Sequence, residues 1–513
     1  MALPEHRSAG ICLHLTALPG AYGIGELGAS AHRFIDFLSH AGMRIWQFLP
    51  TGPTAYGNSP YQPLSVFAGN PLLIDIEALL DESLLLPDEV APLTELARNR
   101  VDFMALVPLK TQLIGRACRR FIERADPARH AKFDAFCDAH DKAWLHDFAL
   151  FQTLKTLHHE RAWPEWDEPV RQRDGAALAA FASQAQQSIM AAKVAQFLFA
   201  EQWQKLQEHA ARRGVLLFGD VPIYIALDSV DAWANRKLLL LAANGQPLEV
   251  AGVPPDYFSD DGQLWGNPLY DWEFQASTNF EWWTDRLRYA TAISDMLRID
   301  HFRGFESYWA VPASSTTARD GQWRKGPGDA IFSAMHKALG DLPIVAEDLG
   351  MITEEVNELR ERHRFPGMKV LQFLLEDPAY TIEQIPENSV CYTGTHDNDT
   401  TYGWFHGSPG DVRSAEQIMH TQQTVLATTG GAKETVVSDL IRLALASPAR
   451  IAMFPMQDIL NLPSDSRFNT PGTIGCNWQW RLRSGDLDAV LANRVREWVA
   501  SSGRSAATVL QSR

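Results

Sequence analysis

Cysteine is scarce in this chain. Five are present among 513 residues: Cys12, Cys118, Cys137, Cys391 and Cys476. They are scattered, odd in number and form no C-x-x-C pair. This argues against a disulfide framework or a zinc site and favours a reducing compartment. Basic charge is also in short supply: 46 Lys and Arg stand against 62 Asp and Glu, a net charge of −16. A nucleic acid or an anionic membrane would call for a basic surface, so neither is an expected partner. No apolar run reaches membrane-spanning length; the Ala-rich stretch before Lys193 is broken by Gln and Ser. The opening Met-Ala-Leu-Pro-Glu-His-Arg lacks a basic segment leading into an apolar core, so no secretory signal is expected, and the expected location is the cytoplasm. There is no Pro/Ser-rich linker or low-complexity tract, and neither of the stretches 76–205 and 228–280 shows an internal repeat.

What is present fits a globular protein, with 46% hydrophobic and 21% charged residues. Eight short apolar runs read as strands buried on both faces, at 10–16, 43–49, 215–221, 296–300, 343–347, 369–373, 389–393 and 450–455. Helical stripes lie between several of them. Ser30 is placed to cap a helix carrying Phe34, Phe37, Leu38 and Ala41, with Gly42 as its stop. Further stripes are Trp283, Leu287, Ala290 and Ile293; Ile331, Met335 and Ala338; and Val437, Leu440, Ile441 and Ala444. Thr353 opens another helix. Alternating strands and helices, eight strands in all, predict a single α/β (β/α)8 TIM barrel over 1–513. Two stretches break the alternation: 76–205 reads as a mainly helical insertion, and 228–280 as a loop-rich insertion forming part of the cleft. Both are expected over the C-terminal mouth.

Three of the predicted strands end in carboxylates: Arg298-Ile299-Asp300, Val345-Ala346-Glu347-Asp348, and, just past 389–393, Thr395-His396-Asp397-Asn398-Asp399. In such a barrel, side chains at the C-terminal strand ends build the active site. Residues two apart on a strand point the same way, so Arg298 and Asp300 face the interior together. An arginine there keeps the aspartate ionised, as a nucleophile requires; a structural Asp–Arg pair is the alternative. Glu347, at the end of an apolar run and beside another carboxylate, is expected to have a raised pKa, suited to a general acid. Asp348 faces the other way and is expected to accept hydrogen bonds at a loop or helix start. The polar cluster at Asp397 lacks calcium-loop spacing and a second histidine at ligand spacing, so no metal is expected. His396 and Asp397 are better suited to bonding sugar hydroxyls. The 16 tryptophans, several in Gly/Pro/Asp-rich loops such as Leu264-Trp265-Gly266-Asn267-Pro268, supply flat faces for pyranose rings. The Tyr56-Gly57-Asn58-Ser59-Pro60-Tyr61 loop is expected at the same mouth.

Longer stretches carry a resemblance: Leu15-Thr16-Ala17-Leu18-Pro19-Gly20, Gly57-Asn58-Ser59-Pro60-Tyr61-Gln62, Gly219-Asp220-Val221-Pro222-Ile223-Tyr224, Gly252-Val253-Pro254-Pro255-Asp256-Tyr257-Phe258-Ser259, the three carboxylate segments, and Arg467-Phe468-Asn469-Thr470-Pro471-Gly472. Over nearly its whole length the chain resembles the amylomaltases, the 4-α-glucanotransferases of glycoside hydrolase family 77 in the α-amylase clan. The resemblance implies a retaining transfer of α-1,4-glucan segments between maltodextrins, with Asp300 as nucleophile, Glu347 as acid/base and Asp397 as third carboxylate. It implies that Tyr61, Asp220, Arg298 and His396 line the subsite of the reacting glucose, with Ser59 a further substrate-binding position. Asp256 and Trp265 would belong to a lid-like loop on the acceptor side, and Tyr56 to a second glucan site. No cofactor is expected, and no sequence is left over for the C-terminal β-domain typical of amylases. Asp220 is followed by Val-Pro-Ile-Tyr rather than the Asn and His of ordinary amylases. A maltodextrin hydrolase with the same carboxylates, and a non-catalytic glucan-binding barrel, are the rival readings.

Overall fold

A computed structural model describes residue 4 and residues 6–255, 260–408 and 411–504. Eight short parallel strands form one sheet: Ser8–Cys12, Ile45–Gln47, Leu216–Pro222, Met296–Asp300, Ile344–Ala346, Gly367–Val370, Ser389–Tyr392 and Ile451–Pro455. They are numbered here as barrel strands one to eight. Each pairs with its neighbour in sequence except five with six, and the eighth pairs with the first. The seam between strands five and six is drawn shut by the Ala346 N–H donating to Pro366 O at 2.9 Å and the Met368 N–H donating to Asp348 Oδ1 at 2.6 Å. The result is a (β/α)8 barrel. Asp348 is thus the hydrogen-bond acceptor expected of it, and Arg360 Nε stands 3.3 Å from its Oδ2.

All eight expected strands are present, the fourth with the expected ends and the others with shifted ones. The sixth ends at Val370, where Leu371–Leu374 turns into a short helix. The stretch Val370-Leu371 is apolar on both sides of that boundary and gives no sign of the change. The barrel interior is filled by Ile45, Phe218, Met296, Val345, Met368, Val390, Tyr392 and Met453, all nearly inaccessible. Burying each such side chain contributes about 1.5–3 kcal/mol. Gly10 is needed among them, because a Cβ there would lie 2.5–2.7 Å from atoms of Ile45 and Met453.

The first outer helix, Ala29–His40, begins at an N-cap of Gly28, not at Ser30. The reason is local: the Asp75 carboxylate occupies the place where a Cβ of residue 28 would stand. The stretch 76–205 holds the helices Phe103–Arg124, Pro127–His140 and His146–Leu157, and a last helix, Gln186–Arg213, that runs past it into strand three. The stretch 228–280 contains more strand than its sequence suggests. Glu249–Val253 and Gln263–Pro268 join Ser307–Pro312 and Gln322–Lys325 in a four-stranded antiparallel sheet. Glycines at 252, 262 and 266 and the Pro254-Pro255 pair break the alternation that would have revealed it. Among the described residues no helix is long and apolar enough to cross a membrane.

Candidate active site

Strands three and four set the floor of the mouth. Their register places Asp220 opposite Arg298 and Pro222 opposite Asp300. Arg298 donates from Nη1 to Asp220 Oδ2 and from Nη2 to Asp300 Oδ1, both at 2.7 Å. Its side chain is 4% exposed, that of Asp220 is sealed, and that of Asp300 is 29% exposed. One buried guanidinium therefore serves two carboxylates, through the fork geometry that distinguishes Arg from Lys. Burial pushes the Asp300 carboxyl up, Arg298 pulls it down, and Asp220 pushes it up again; the net direction is upward.

Glu347 follows strand five. Its Oε2 accepts the His301 N–H at 2.7 Å and its Oε1 the Leu349 N–H at 3.0 Å. His301 can aim its N–H this way because its backbone is left-handed, with φ 51°. The same turn is tied to strand five by Phe302 N–H donating to Glu347 O at 3.1 Å. Burial raises the Glu347 carboxyl; Arg298 and the two backbone bonds oppose this, and Asp300 adds to it, leaving the pKa at about 7. That is the pattern of a carboxyl able to hold or release a proton near neutrality.

Asp397 lies in the loop after strand seven. Asn469 Nδ2 donates to its Oδ1 at 2.6 Å, Arg467 donates to its backbone oxygen at 2.6 Å, and His396 Nε2 stands 3.3 Å from its Oδ2. Burial works against its charge, but His396, Asn469 and Arg298 outweigh burial and hold its carboxyl well below the usual range. The two ends of this loop are clamped by the buried Asp458, which accepts from the Thr393 hydroxyl at 2.6 Å and from the Thr401 N–H at 2.8 Å.

Tyr61 joins the two halves. Its hydroxyl donates to Asp220 Oδ2 at 2.9 Å and lies 2.9 Å from His396 Nε2, and its ring stacks on His396 with centroids 5.3 Å apart. Ser59 shapes this loop: its Oγ accepts the Tyr61 N–H at 3.2 Å. Trp265, on the small sheet, meets the His301 ring edge-on at 4.8 Å. Asp256 lies outside the described residues, as does the Tyr56 side chain. The structure thus gathers Asp300, Glu347, Asp397, Tyr61, Asp220, Arg298 and His396 at one mouth, with Ser59 and Trp265 bordering it. Asn469, Arg467, His301 and Asp458 were not singled out from the sequence. The first two sit in a segment that carried the resemblance, which was the available signal. Among the described residues no group of three or more His, Cys, Asp or Glu side chains is arranged to hold a metal ion.

The comparisons with known proteins agree with one another. A family model described as 4-alpha-glucanotransferase, glycoside hydrolase family 77, matches residues 13–488. The chain belongs to this family. A 4-alpha-glucanotransferase of Synechocystis sp. is 44% identical over 501 residues, covering 96% of this chain and 97% of the relative. One from Thermus thermophilus is 42% identical over 510 residues, covering 98% and 100%. The solved structure of an amylomaltase from Streptococcus agalactiae, in complex with acarbose, superposes with a TM-score of 0.91 at 35% identity, covering 97% of this chain and 99% of that one. The mouth described above is accordingly that of a 4-α-glucanotransferase built on a (β/α)8 barrel.

Proposed function

We propose that this glucanotransferase works by retaining double displacement, with Asp300 as nucleophile and Glu347 as acid/base. One observation carries the reading: Arg298 is committed to Asp220 and Asp300, while Glu347, beside them, has no cation of its own and a pKa near 7. Asp300 attacks the anomeric carbon as Glu347 protonates the departing oxygen. Once Asp300 is esterified its charge is gone, and with it a cause of the raised Glu347 pKa. Glu347, already deprotonated by the first step, is then a stable base for the 4-hydroxyl of an incoming chain. Asp397, held ionised, bonds the hydroxyls of the reacting glucose. Tyr61, Asp220, Arg298 and His396 form the floor of that subsite, with Ser59 fixing the Tyr61 loop. Asp256 and Trp265 belong to the acceptor side, where a bound sugar displaces the water that would otherwise hydrolyse the intermediate.

The substrates on this reading are maltodextrins, as donor and acceptor. The five unpaired cysteines support a reducing, cytoplasmic setting. Product analysis on maltotriose tests the transfer. Glucose and longer maltodextrins should form with no gain in reducing ends. Reducing ends rising in step with glucose would instead assign the carboxylates to a hydrolase.

A further inference from the structure

The small antiparallel sheet carries an apolar row that the chemistry above does not use. Its register sets Leu264, Gly252, Trp309 and Trp323 directly opposite one another across all four strands. Residues so opposed share one face of a sheet. Gly252 gives the row a low floor, since the Gln263 carbonyl stands 2.4 Å from where a Cβ would be. Leu264 is 38% exposed and Trp323 41%. The Trp323 ring is nonetheless fixed. The Arg303 guanidinium lies over it, 4.0 Å from its centroid, and Trp309 meets it at 5.2 Å. Trp309 is itself held by a 2.8 Å bond from Nε1 to Ala318 O. A rigid aromatic ring with open surface offers contact area at little entropic cost.

The Trp323 end of the row is tied to the mouth on the side of Glu347. Arg303 lies in the turn that follows Asp300, and it donates to the backbone oxygen of Met351, in the loop that follows Glu347. Trp323 is stacked on that tie. Met351 is itself half exposed. The group that Glu347 protonates is the departing chain, and the group it deprotonates is the incoming one, so both chains lie on its side.

We propose that Trp323, with Leu264 and Trp309, is a platform for the distal part of an α-1,4-glucan on the acceptor side, beyond the glucose units next to the reacting bond. This rests on the transfer mechanism proposed above. On this placement maltotriose is expected to stop short of the platform and maltoheptaose to extend onto it. In Trp323→Ala the KM for maltoheptaose should rise roughly two- to tenfold, the worth of one aromatic stacking contact, while kcat and the maltotriose constants hold. Trp323→Phe should keep most of the effect of the ring. Leu264→Ser, a change at the far end of the row from the Trp309–Trp323 pair, should shift the same ratio and carries the test if Trp323→Ala fails to fold. An unchanged ratio of the two KM values, or an equal loss on both substrates, would overturn the platform. So would a change of oligomeric state on Trp323→Ala with the ratio unchanged, which would make the row a contact between copies of this chain. Failure of the unaltered enzyme to make longer chains from maltotriose would instead sink the mechanism on which the platform rests.

Discussion

Two buried charge clusters in this molecule use similar residues to opposite ends. Under the helical region, Lys110 on the helix Phe103–Arg124 donates to Glu26, and the two side chains are 0% and 7% exposed. One cation meets one carboxylate and solvent is kept out. At the barrel mouth, Arg298 is as deeply buried, but the carboxylates around it outnumber it, and Asp300 and Asp397 remain 29% and 42% exposed. Burial alone does not separate the two places, for it lifts Glu26 and Glu347 alike to about 7. The difference lies in matching and access. A matched, sealed pair holds structure; an outnumbered cation beside reachable carboxylates leaves one acid free to exchange a proton.

The sharpest way to break this comparison is to neutralise one carboxylate at the mouth. Asp300→Asn and Glu347→Gln should each lower the transfer rate by several powers of ten, about 10²–10⁴ for the proton-transfer role alone. Both changes are nearly isosteric, so thermal unfolding should shift little. A variant that kept a tenth of the rate would remove that residue from its role.

The sealed pair should respond in the opposite way. Lys110→Met strands a buried carboxylate, which costs about 3–5 kcal/mol. The denaturation midpoint should fall accordingly while kcat/KM of the folded enzyme stays put. Replacing Glu26 with Gln in the same chain should restore most of the loss. A fall in kcat/KM without a loss of stability would tie the pair to catalysis.

Between these extremes stands the support of Asp397. Asn469→Ala removes a 2.6 Å bond to a charged oxygen, worth about 1.5–3 kcal/mol, so kcat/KM should fall roughly ten- to hundredfold with the fold intact. The pH profile gives a milder test. Glu347 acts protonated in the first step and its pKa is raised, so the active form prevails below about 7 and is lost as pH rises through that value. An alkaline limb of kcat/KM well above 9 would contradict this assignment.

The strands were legible because each is buried on both faces and reads as an apolar run. The carboxylates were legible because they end such runs. Arg298 and Asp300 were read as facing together from their spacing alone, and the structure joins them at 2.7 Å. The small sheet was not legible. Its strand Gln322–Lys325 is exposed throughout, and its strand Gln263–Pro268 is interrupted by a glycine with φ 79°, so neither shows a buried pattern. His301 was missed for a related reason. Its part is played by a backbone N–H, and no residue type announces that. Asn469 and Asp458 support the site across long sequence separations, which periodicity cannot reveal.

The smallest expected effect lies where the charge cluster meets the small sheet. Trp265 bears no charge and makes no contact with Asp300 or Glu347 through a hydrogen bond; its Nε1 donates to Gln263 at 3.1 Å. Its ring reaches the cluster through the edge-on contact with His301, whose N–H holds Glu347. A sugar stacked on Trp265 would therefore stand beside the acid/base, in the place from which water would attack. Trp265→Ala should weaken that acceptor roughly two- to tenfold and leave donor cleavage nearly unchanged. Cleavage releases glucose from maltotriose whichever nucleophile follows, but only water adds a reducing end. The ratio of reducing ends gained to glucose released should therefore rise in the variant. If overall rate falls while that ratio stays at its original value, Trp265 supports His301 and Glu347 rather than the acceptor, and the shielding from water lies elsewhere.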